Sequence, residues 1–360
     1  MPTFKLAMHA ASDGDAIILT WGEDRSLHHA LIDLGRTADY RALKPSLEKI
    51  GEFDLFVMTH IDADHIEGAM PLFKEAAMPF QAKQVWFNAH WQLTRANERL
   101  PAAERETLGA AQAEKVTSGI TRFEWPWNSS FASGIVSTDS PDAKLPIPLE
   151  GLSLRLLSPS DKELSKLLPV WNAELAKAHL RTTDPDEVEL AIARGREILG
   201  IPNVDYLAKV PFKADKTKPN GASISFVAEF GGRRVLLAAD SHPDVIVASL
   251  KTLNASETNR YRLDCLKVSH HGSKSNTSPE LLKIIDCTRF AFSTDGSRHS
   301  HPDSETIARI LKNDPDRHKT LIFNFRQPST ELWDDEQLKK KWRYDCCFPK
   351  TNETSVQFDV

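Results

Sequence analysis

The sequence is poor in cysteine and has no long apolar segment. Its 360 residues include four cysteines, none in a C-x-x-C spacing, which argues against a structural zinc knuckle. No stretch approaches the roughly 18 consecutive apolar residues that a membrane helix needs. The first twenty residues also lack the basic segment and apolar run of a signal peptide. We therefore expect a protein of the reduced cytoplasm that is not inserted in a membrane.

Charge of one sign is not in large excess either. The net charge of −5 gives no overall basic character, so a nucleic-acid partner would be held locally, by a few lysines and arginines. The composition is that of a globular protein, and the length is sufficient for a large hydrophobic core.

Histidine and aspartate are concentrated in one short stretch. Residues 59–68 read THIDADHIEG and follow an apolar run from Leu55 to Met58, which predicts a buried strand. Two histidines and two aspartates fall within six residues: His60, Asp62, Asp64 and His65. Imidazole nitrogens and carboxylate oxygens on a short turn are suitable ligands for one or two divalent metal ions. Their spacing favours a metal site over a polar surface turn.

This stretch resembles the H-x-[HD]-x-D-H signature of the metallo-β-lactamase superfamily. Because Asp62 stands at the third motif position, the chain is more specifically similar to the hydrolase-like domain of bacterial competence (DNA-uptake) channel proteins and to its free-standing relatives. Further motifs of that branch occur between residues 4 and 312: Gly14-Asp15-Ala16, Ile32-Asp33-Leu34-Gly35, Asp240 after a strand, Ser269-His270-His271-Gly272-Ser273-Lys274 and Ser300-His301-Pro302.

The resemblance implies an α/β fold, the αββα four-layer metallo-β-lactamase sandwich. In this fold two mixed sheets lie face to face, helices cover their outer faces, and metals bind at one edge between the sheets. We interpret residues 1–360 as a single domain with helical insertions near residues 91–120 and 161–200. The final forty residues are predicted to form a strand, a loop and a strand.

The resemblance also implies a set of metal ligands. His60 and Asp62 would bind the first metal, Asp64, His65 and His301 the second, and Asp240 would bridge the two. Asp33 would support the metal loop by hydrogen bonding. Where the superfamily has a further histidine, this chain has Asn220, which offers at best an amide oxygen. Oxygen donors shift the preference of the first site from zinc towards manganese, so we predict one or two Zn or Mn ions per chain.

Such metals lower the pKa of bound water towards about 7 and supply a hydroxide. The first hypothesis is therefore a metal-dependent phosphodiesterase or nuclease, acting on nucleic acid or another phosphodiester. Asp64 would orient the hydroxide, His270 or His271 would protonate the leaving oxygen, and Ser273 and Lys274 would hold a phosphate. Two alternatives stay open: hydrolysis of a small carbonyl substrate such as a lactone or thioester, and a non-catalytic role with a degenerate metal site and a partner protein. The sequence leaves the oligomeric state undetermined.

Overall fold

The computed structural model describes residues 2–23, 26–106, 115–174, 201–351 and 353–360. Most of the helical insertion predicted near residues 161–200 therefore lies outside the described residues.

Strands in the described residues follow the apolar stretches of the sequence. In chain order they are β1 (Thr3–His9), β2 (Ile17–Glu23), β3 (Ser26–Ile32), β4 (Glu52–Phe53), β5 (Leu55–Val57), β6 (Gln81–Ala82), β7 (Val85–Trp86), β8 (Ile147–Leu149), β9 (Leu152–Ser158), β10 (Ser225–Phe230), β11 (Arg233–Leu237), β12 (Tyr261–Arg262), β13 (Cys265–Lys267), β14 (Ile285–Asp286), β15 (Arg289–Phe292), β16 (Lys319–Phe323), β17 (Tyr344–Cys347) and β18 (Ser355–Asp359).

The α-helices of the same residues are α1 (Thr37–Ile50), α2 (Ala63–Ile66), α3 (Ala69–Leu72), α4 (His90–Arg99), α5 (Lys115–Arg122), α6 (Asp161–Leu167), α7 (Val204–Leu207), α8 (Lys218–Gly221), α9 (Pro243–Thr252), α10 (Pro279–Ile284), α11 (Ser304–Lys312), α12 (Pro328–Glu331) and α13 (Glu336–Trp342). The described helices include none with the length and hydrophobicity that a membrane crossing requires.

Helix α1 illustrates how the sequence sets these elements. Its buried residues Tyr40, Leu43 and Leu47 recur at three- and four-residue intervals, which places them on one face. The Asp39 carboxylate accepts a hydrogen bond from the Arg36 backbone N–H at the start of the helix. Gly51, with φ of 76°, ends it, because a glycine adopts this left-handed conformation without steric cost.

Two large mixed sheets form the centre of the fold. Among the described strands, one sheet has the order β18-β1-β2-β3-β5-β7, and the other has the order β17-β16-β15-β13-β11-β10-β9-β8. Pairing is antiparallel from β18 to β3 and from β8 to β11. The remaining pairs, β3-β5-β7 and β11-β13-β15-β16-β17, are parallel. Each sheet therefore has one parallel part, in which the strands end at a common edge.

Among the described residues, three clusters of apolar side chains lie between the four layers of helices and sheets. Side chains from both sheets meet in the middle layer, such as Leu19 of β2 and Phe226 of β10. On the outer face of the first sheet, Leu43 of α1 belongs to the same cluster as Phe56 of β5. On the outer face of the second sheet, Ile307 of α11 joins the cluster around β13. This helix–sheet–sheet–helix order confirms the α/β class and the αββα sandwich that the resemblance implied.

The prediction for the final forty residues is wrong in part. Helices α12 and α13 and strand β17 lie between β16 and β18, where the sequence analysis predicted a loop. Leu338 and Trp342 of α13 are buried against the second sheet's outer layer, and this tertiary packing stabilises a helix too short to be recognised from its pattern. Helices α4 and α5 lie in the first predicted helical region and α6 begins the second. The single-domain organisation stays a prediction.

Candidate metal centre

The predicted site residues follow strands of both sheets at the edge where the parallel parts end. The metal loop follows β5, Asp33 follows β3, Asp240 comes after β11, and His270 and His271 come after β13. Carboxyl ends of parallel strands commonly carry binding sites, because loops from several strands meet there. The tertiary structure thus brings together residues that lie up to about 240 positions apart in the chain.

Left-handed backbone at these strand ends aims the side chains. Asp33, Ala239, His270 and His271 have φ values of 57°, 45°, 49° and 53°. This region costs non-glycine residues about 1 kcal/mol or more, and such strain is typical of functional sites. Ala239 occupies the position where the resemblance expects glycine, and it keeps the glycine-like conformation.

Asp33 fixes the metal loop. Its carboxylate accepts hydrogen bonds from the Thr59 backbone N–H at 2.8 Å, from the Thr59 hydroxyl at 2.7 Å and from His65 Nδ1 at 2.7 Å. Burial raises the pKa of Asp33, whereas the contacts with His65 and Thr59 oppose that shift. Because Nδ1 of His65 donates to the carboxylate, Nε2 of the neutral ring carries a lone pair directed away from Asp33.

His271 has the same tautomer for a similar reason. Its Nδ1 lies 2.7 Å from the backbone oxygen of Ser293, and a carbonyl oxygen only accepts. Nε2 of the neutral His271 ring is therefore also an acceptor, and it faces Nε2 of His65 at 3.2 Å. Two lone pairs at this distance repel each other unless a cation or a proton lies between them.

Two carboxylates complete this group. Oδ2 of Asp64 lies 3.3 Å from Nε2 of His271 and 3.7 Å from Nε2 of His65, and Oδ1 of Asp240 lies 3.5 Å from Nε2 of His65. Ligands about 2.0–2.1 Å from a tetrahedral zinc ion are roughly 3.3 Å apart, which is close to these separations. Asp64, His65, Asp240 and His271, which we call the His65 site, therefore fit a tetrahedral divalent ion.

A second group lies on the other side of Asp240. The Thr59 hydroxyl donates its hydrogen to Asp33, so it accepts from His60 Nδ1 at 3.0 Å. His60 Nε2 is buried without a hydrogen-bond partner among the described residues. It lies 3.7 Å from Oδ2 of Asp62 and 3.8 Å from Oδ2 of Asp240. We call His60, Asp62 and Asp240 the His60 site; with one imidazole and longer separations, it is the weaker of the two.

The carboxylates of the His65 and His60 sites favour positive charge between them. Burial opposes charge on His65, but Asp240, Asp33 and Asp64 together raise its pKa well above the usual value. Burial, followed by repulsion from Asp64 and Asp240, raises the pKa of Asp62 to about 7. Burial lowers the pKa of His60 to about 3. Without a cation the carboxylates therefore retain protons at His65 and Asp62, and a divalent ion would displace them.

His270 points its two nitrogens at different partners. Nδ1 lies 3.0 Å from Oδ1 of Asn276, 3.2 Å from Nδ2 of Asn220 and 3.5 Å from Oδ2 of Asp215, while Nε2 lies 3.7 Å from Oδ2 of Asp240. Burial opposes protonation, but Asp240 and Asp215 raise the pKa of His270 to about 9. The structure thus distinguishes the adjacent histidines: His271 faces the His65 site, whereas His270 lies between Asp240 on one side and Asp215 and Asn276 on the other.

His301 and Asn220 lie next to these groups. The His301 ring centroid is 5.5 Å from that of His270, and its Nδ1 is buried without a hydrogen-bond partner among the described residues. His301 belongs to neither of the buried groups Asp15-His65-His271 and His60-His65-Asp240, so its role as a ligand stays a prediction. The Asn220 amide donates to Asp215 at 2.7 Å and supports His270.

The predicted phosphate-binding pair is directed elsewhere. The ammonium group of Lys274 lies 3.3 Å from Glu305, and the Ser273 hydroxyl accepts a bond from the Ser275 backbone N–H. Neither residue lines the cleft of about 140 Å³ over the two metal sites. That cleft is lined instead by Asp13, Arg36, Asp62, Ala63, Asp64, Glu174, Asp240, His270, Arg298 and His299.

Sequence analysis missed the two arginines of this cleft. Arg36 donates to both carboxylate oxygens of Asp13, at 2.5 and 2.6 Å, and to Glu67 at 3.2 Å. Arg298 lies 3.9 Å from Asp13. Neither arginine belongs to a readable motif, and Arg298 follows the strand-end histidines by almost thirty residues, so no sequence signal marks them.

The four layers, with the strand-end histidines and aspartates at one edge between the sheets, identify the architecture. The chain has the metallo-β-lactamase fold. In a comparison of structures it is similar to the metallo-β-lactamase fold protein YhfI from Bacillus subtilis, with 9% identity over 99% of each chain and a TM-score of 0.39. No protein-family model matches the chain, and no curated protein matches its sequence. The closer likeness to the competence-protein branch stays a prediction.

Proposed function

We propose that this protein is a divalent-metal-dependent hydrolase that cleaves phosphodiesters. The observation that carries the proposal is the pair of opposed Nε2 acceptors of His65 and His271, flanked by the carboxylates of Asp64 and Asp240. An all-acceptor group of this kind binds cations, and divalent ions at such sites supply a hydroxide at neutral pH.

The residues around the ions have separate tasks. Asp33 and the Ser293 carbonyl hold the two imidazole rings in the tautomer that directs Nε2 into the site. The carboxylate of Asp64 lies on the cleft surface, where it can orient the attacking oxygen. His270, charged at neutral pH and also lining the cleft, can give its proton to the leaving oxygen.

A phosphodiester suits the cleft better than a neutral carbonyl substrate. The guanidinium group of Arg298 lies on its wall, 3.9 Å from the Asp13 carboxylate whose two oxygens Arg36 already binds, and guanidinium binds phosphate oxygens with good geometry. A lactone or thioester offers no anion for this group. A charged His270 also serves an alkoxide leaving group, which needs a proton. The small cleft and the net charge of −5 favour a single phosphodiester unit over an extended duplex.

The test is a substrate panel run with metal analysis. The chain, stripped of metal and reloaded with Zn²⁺ or Mn²⁺, is assayed on bis-p-nitrophenyl phosphate, single-stranded DNA, RNA, a lactone and a thioester. We expect metal-dependent hydrolysis of the diesters, its loss in Asp64→Asn and its retention in His318→Ala. His318 is an exposed histidine outside both metal sites, so its variant controls for general effects.

Each other outcome favours one alternative. Hydrolysis of the lactone or thioester without that of the diesters would favour a carbonyl substrate. Bound metal without hydrolysis of any substrate would favour a binding role with a partner protein. Unchanged diester hydrolysis in a folded Asp64→Asn variant would exclude the proposed site.

A further inference from the structure

A fully buried lysine lies beneath the His65 site. Lys267 is the last residue of β13, three positions before His270, and its side chain has 0% exposure. Its ammonium group donates to Oδ2 of Asp15, which is also buried and precedes β2 in the other sheet. Lysine is almost never buried this completely unless it is paired. The pair therefore joins the two sheets next to the metal centre.

Asp15 lies within reach of the metal ligands. One of its oxygens and ring nitrogens of His65 and His271 all lie within 4.8 Å of one another. Its Oδ1 has no hydrogen-bond partner among the described residues and is 3.7 Å from Nδ1 of His271. The segment also rests directly on the metal loop, because a Cβ at Gly14 would come within 1.8 Å of the Asp64 backbone oxygen. Asp15 is thus a carboxylate next to the His65 site whose charge is already paired.

We propose that Lys267 determines metal specificity by keeping the Asp15 carboxylate out of the ligand set of the His65 site. The ammonium group neutralises Asp15 and fixes its position. The ligand set of the His65 site then consists of two imidazoles and two carboxylates, and Asp15 does not join it as a third carboxylate. Imidazole nitrogens favour zinc, whereas additional carboxylate oxygens favour manganese and magnesium. This inference rests on the metal centre of the proposed function, but not on its substrate.

The test measures metal preference without any substrate. Metal-free wild type and Lys267→Met are titrated with Zn²⁺ and with Mn²⁺ in competition with a chromogenic chelator, which gives a dissociation constant for each ion. In Lys267→Met the Asp15 carboxylate loses its counter-charge and is drawn to the bound ion. We expect the preference for Mn²⁺ relative to Zn²⁺ to rise by about tenfold or more, the usual scale of effects from residues around a metal site.

Matched variants separate specificity from stability. In Asp15→Asn/Lys267→Met both charges are absent, so the preference should return to that of the wild type. In Asp15→Asn alone the unpaired ammonium repels both ions, so both dissociation constants should rise alike. Lys267→Gln, which removes the charge but keeps a hydrogen-bond donor, replaces Lys267→Met if the latter does not fold. Thermal melting of each variant reports folding.

Three results would overturn the inference. One is an unchanged metal preference in a folded Lys267→Met or Lys267→Gln chain. Another is the same shift in the double variant as in the single one. The third is that Lys267→Met and Lys267→Gln both fail to fold while Asp15→Asn/Lys267→Met folds, since the Asp15–Lys267 ion pair would then serve the fold alone. A shifted preference in a chain that hydrolyses no diester would support the inference and contradict the proposed function. A wild type that binds neither ion would refute both.

Discussion

His65 and His271 lie 206 residues apart in the sequence and present acceptor nitrogens to each other at 3.2 Å. Each ring is locked by its other nitrogen, one on the Asp33 carboxylate and one on the Ser293 carbonyl. The contact is therefore unfavourable in the neutral state and favourable once a cation binds.

The first prediction distinguishes the histidines that complete the His65 site. His271→Ala removes a candidate ligand nitrogen in direct contact with Asp64 and His65, so it should weaken binding of the tightest ion by at least the roughly 10- to 100-fold that loss of a group supporting a ligand costs. His301→Ala should have a smaller effect on that ion. Metal content after dialysis, measured by mass spectrometry, checks both. A larger loss of bound metal in His301→Ala than in His271→Ala would return His301 to the ligand position and leave His271 as the candidate proton donor.

The second prediction concerns pH. Carboxylates raise the pKa of His65 well above its usual value, so the metal-free ring keeps its proton at neutral pH. A bound ion must displace that proton, so affinity should rise with pH. We expect the dissociation constant of the tightest ion to fall as the pH rises through neutrality, by at most about tenfold per pH unit, the slope for one displaced proton. Because Asp62 has a pKa of about 7, a second ion should be lost first below neutrality. A pH-independent constant in calorimetric titration would contradict this linkage.

The third prediction concerns Asp33. Asparagine at this position cannot accept the three hydrogen bonds as a carboxylate does, so Asp33→Asn should weaken metal binding by about tenfold or more. Asp54→Asn is the matched control: Asp54 is also buried and bonded to His28 and Lys83, but it precedes β5, whereas Asp33 follows β3 at the edge that carries the site. Equal loss of metal in both variants would indicate a general loss of stability instead.

The fourth prediction tests His270 as the proton donor. His270→Ala should reduce turnover of a diester with a poor, alkoxide leaving group by about 10²-fold, a typical general-acid effect. Turnover of a p-nitrophenyl diester should fall much less, since p-nitrophenolate leaves without a proton. Metal content should be retained. Similar losses on both substrates would favour a structural or metal-binding role for this residue.

The fifth prediction compares two basic residues as anion-binding groups. Arg298 lines the cleft, whereas Lys274 is paired with Glu305 outside it. Arg298→Ala should therefore raise KM for the diester by about tenfold, the scale of one charge-assisted hydrogen bond, with metal content unchanged. Lys274→Ala should change KM little. A larger effect from Lys274 would restore the phosphate-binding role that the sequence motif indicated.

The sequence led to the fold class through its resemblance to a known superfamily, and its motifs named most of the residues that the structure brings together. The apolar run from Leu55 to Met58 predicted strand β5, and the metal loop was readable because its four polar groups fall within six residues. Asp33 and Asp240 were selected through the resemblance to the competence-protein branch, whose motifs have an aspartate after each of these two strands. Helix α13 could not be predicted, because burial of Leu338 and Trp342 stabilises a segment with a weak pattern of its own.

Only the tertiary structure decided which residues from distant parts of the chain contact one another and which of them line the cleft. His270 and His271 are neighbours in sequence, and a backbone turn with positive φ directs their two rings to different partners. Arg298 enters the cleft, Lys274 turns away from it, and Lys267 meets Asp15 across the two sheets. Side-chain direction and pairing across sheets depend on packing between distant segments. A linear pattern of residue types carries no direct record of that packing.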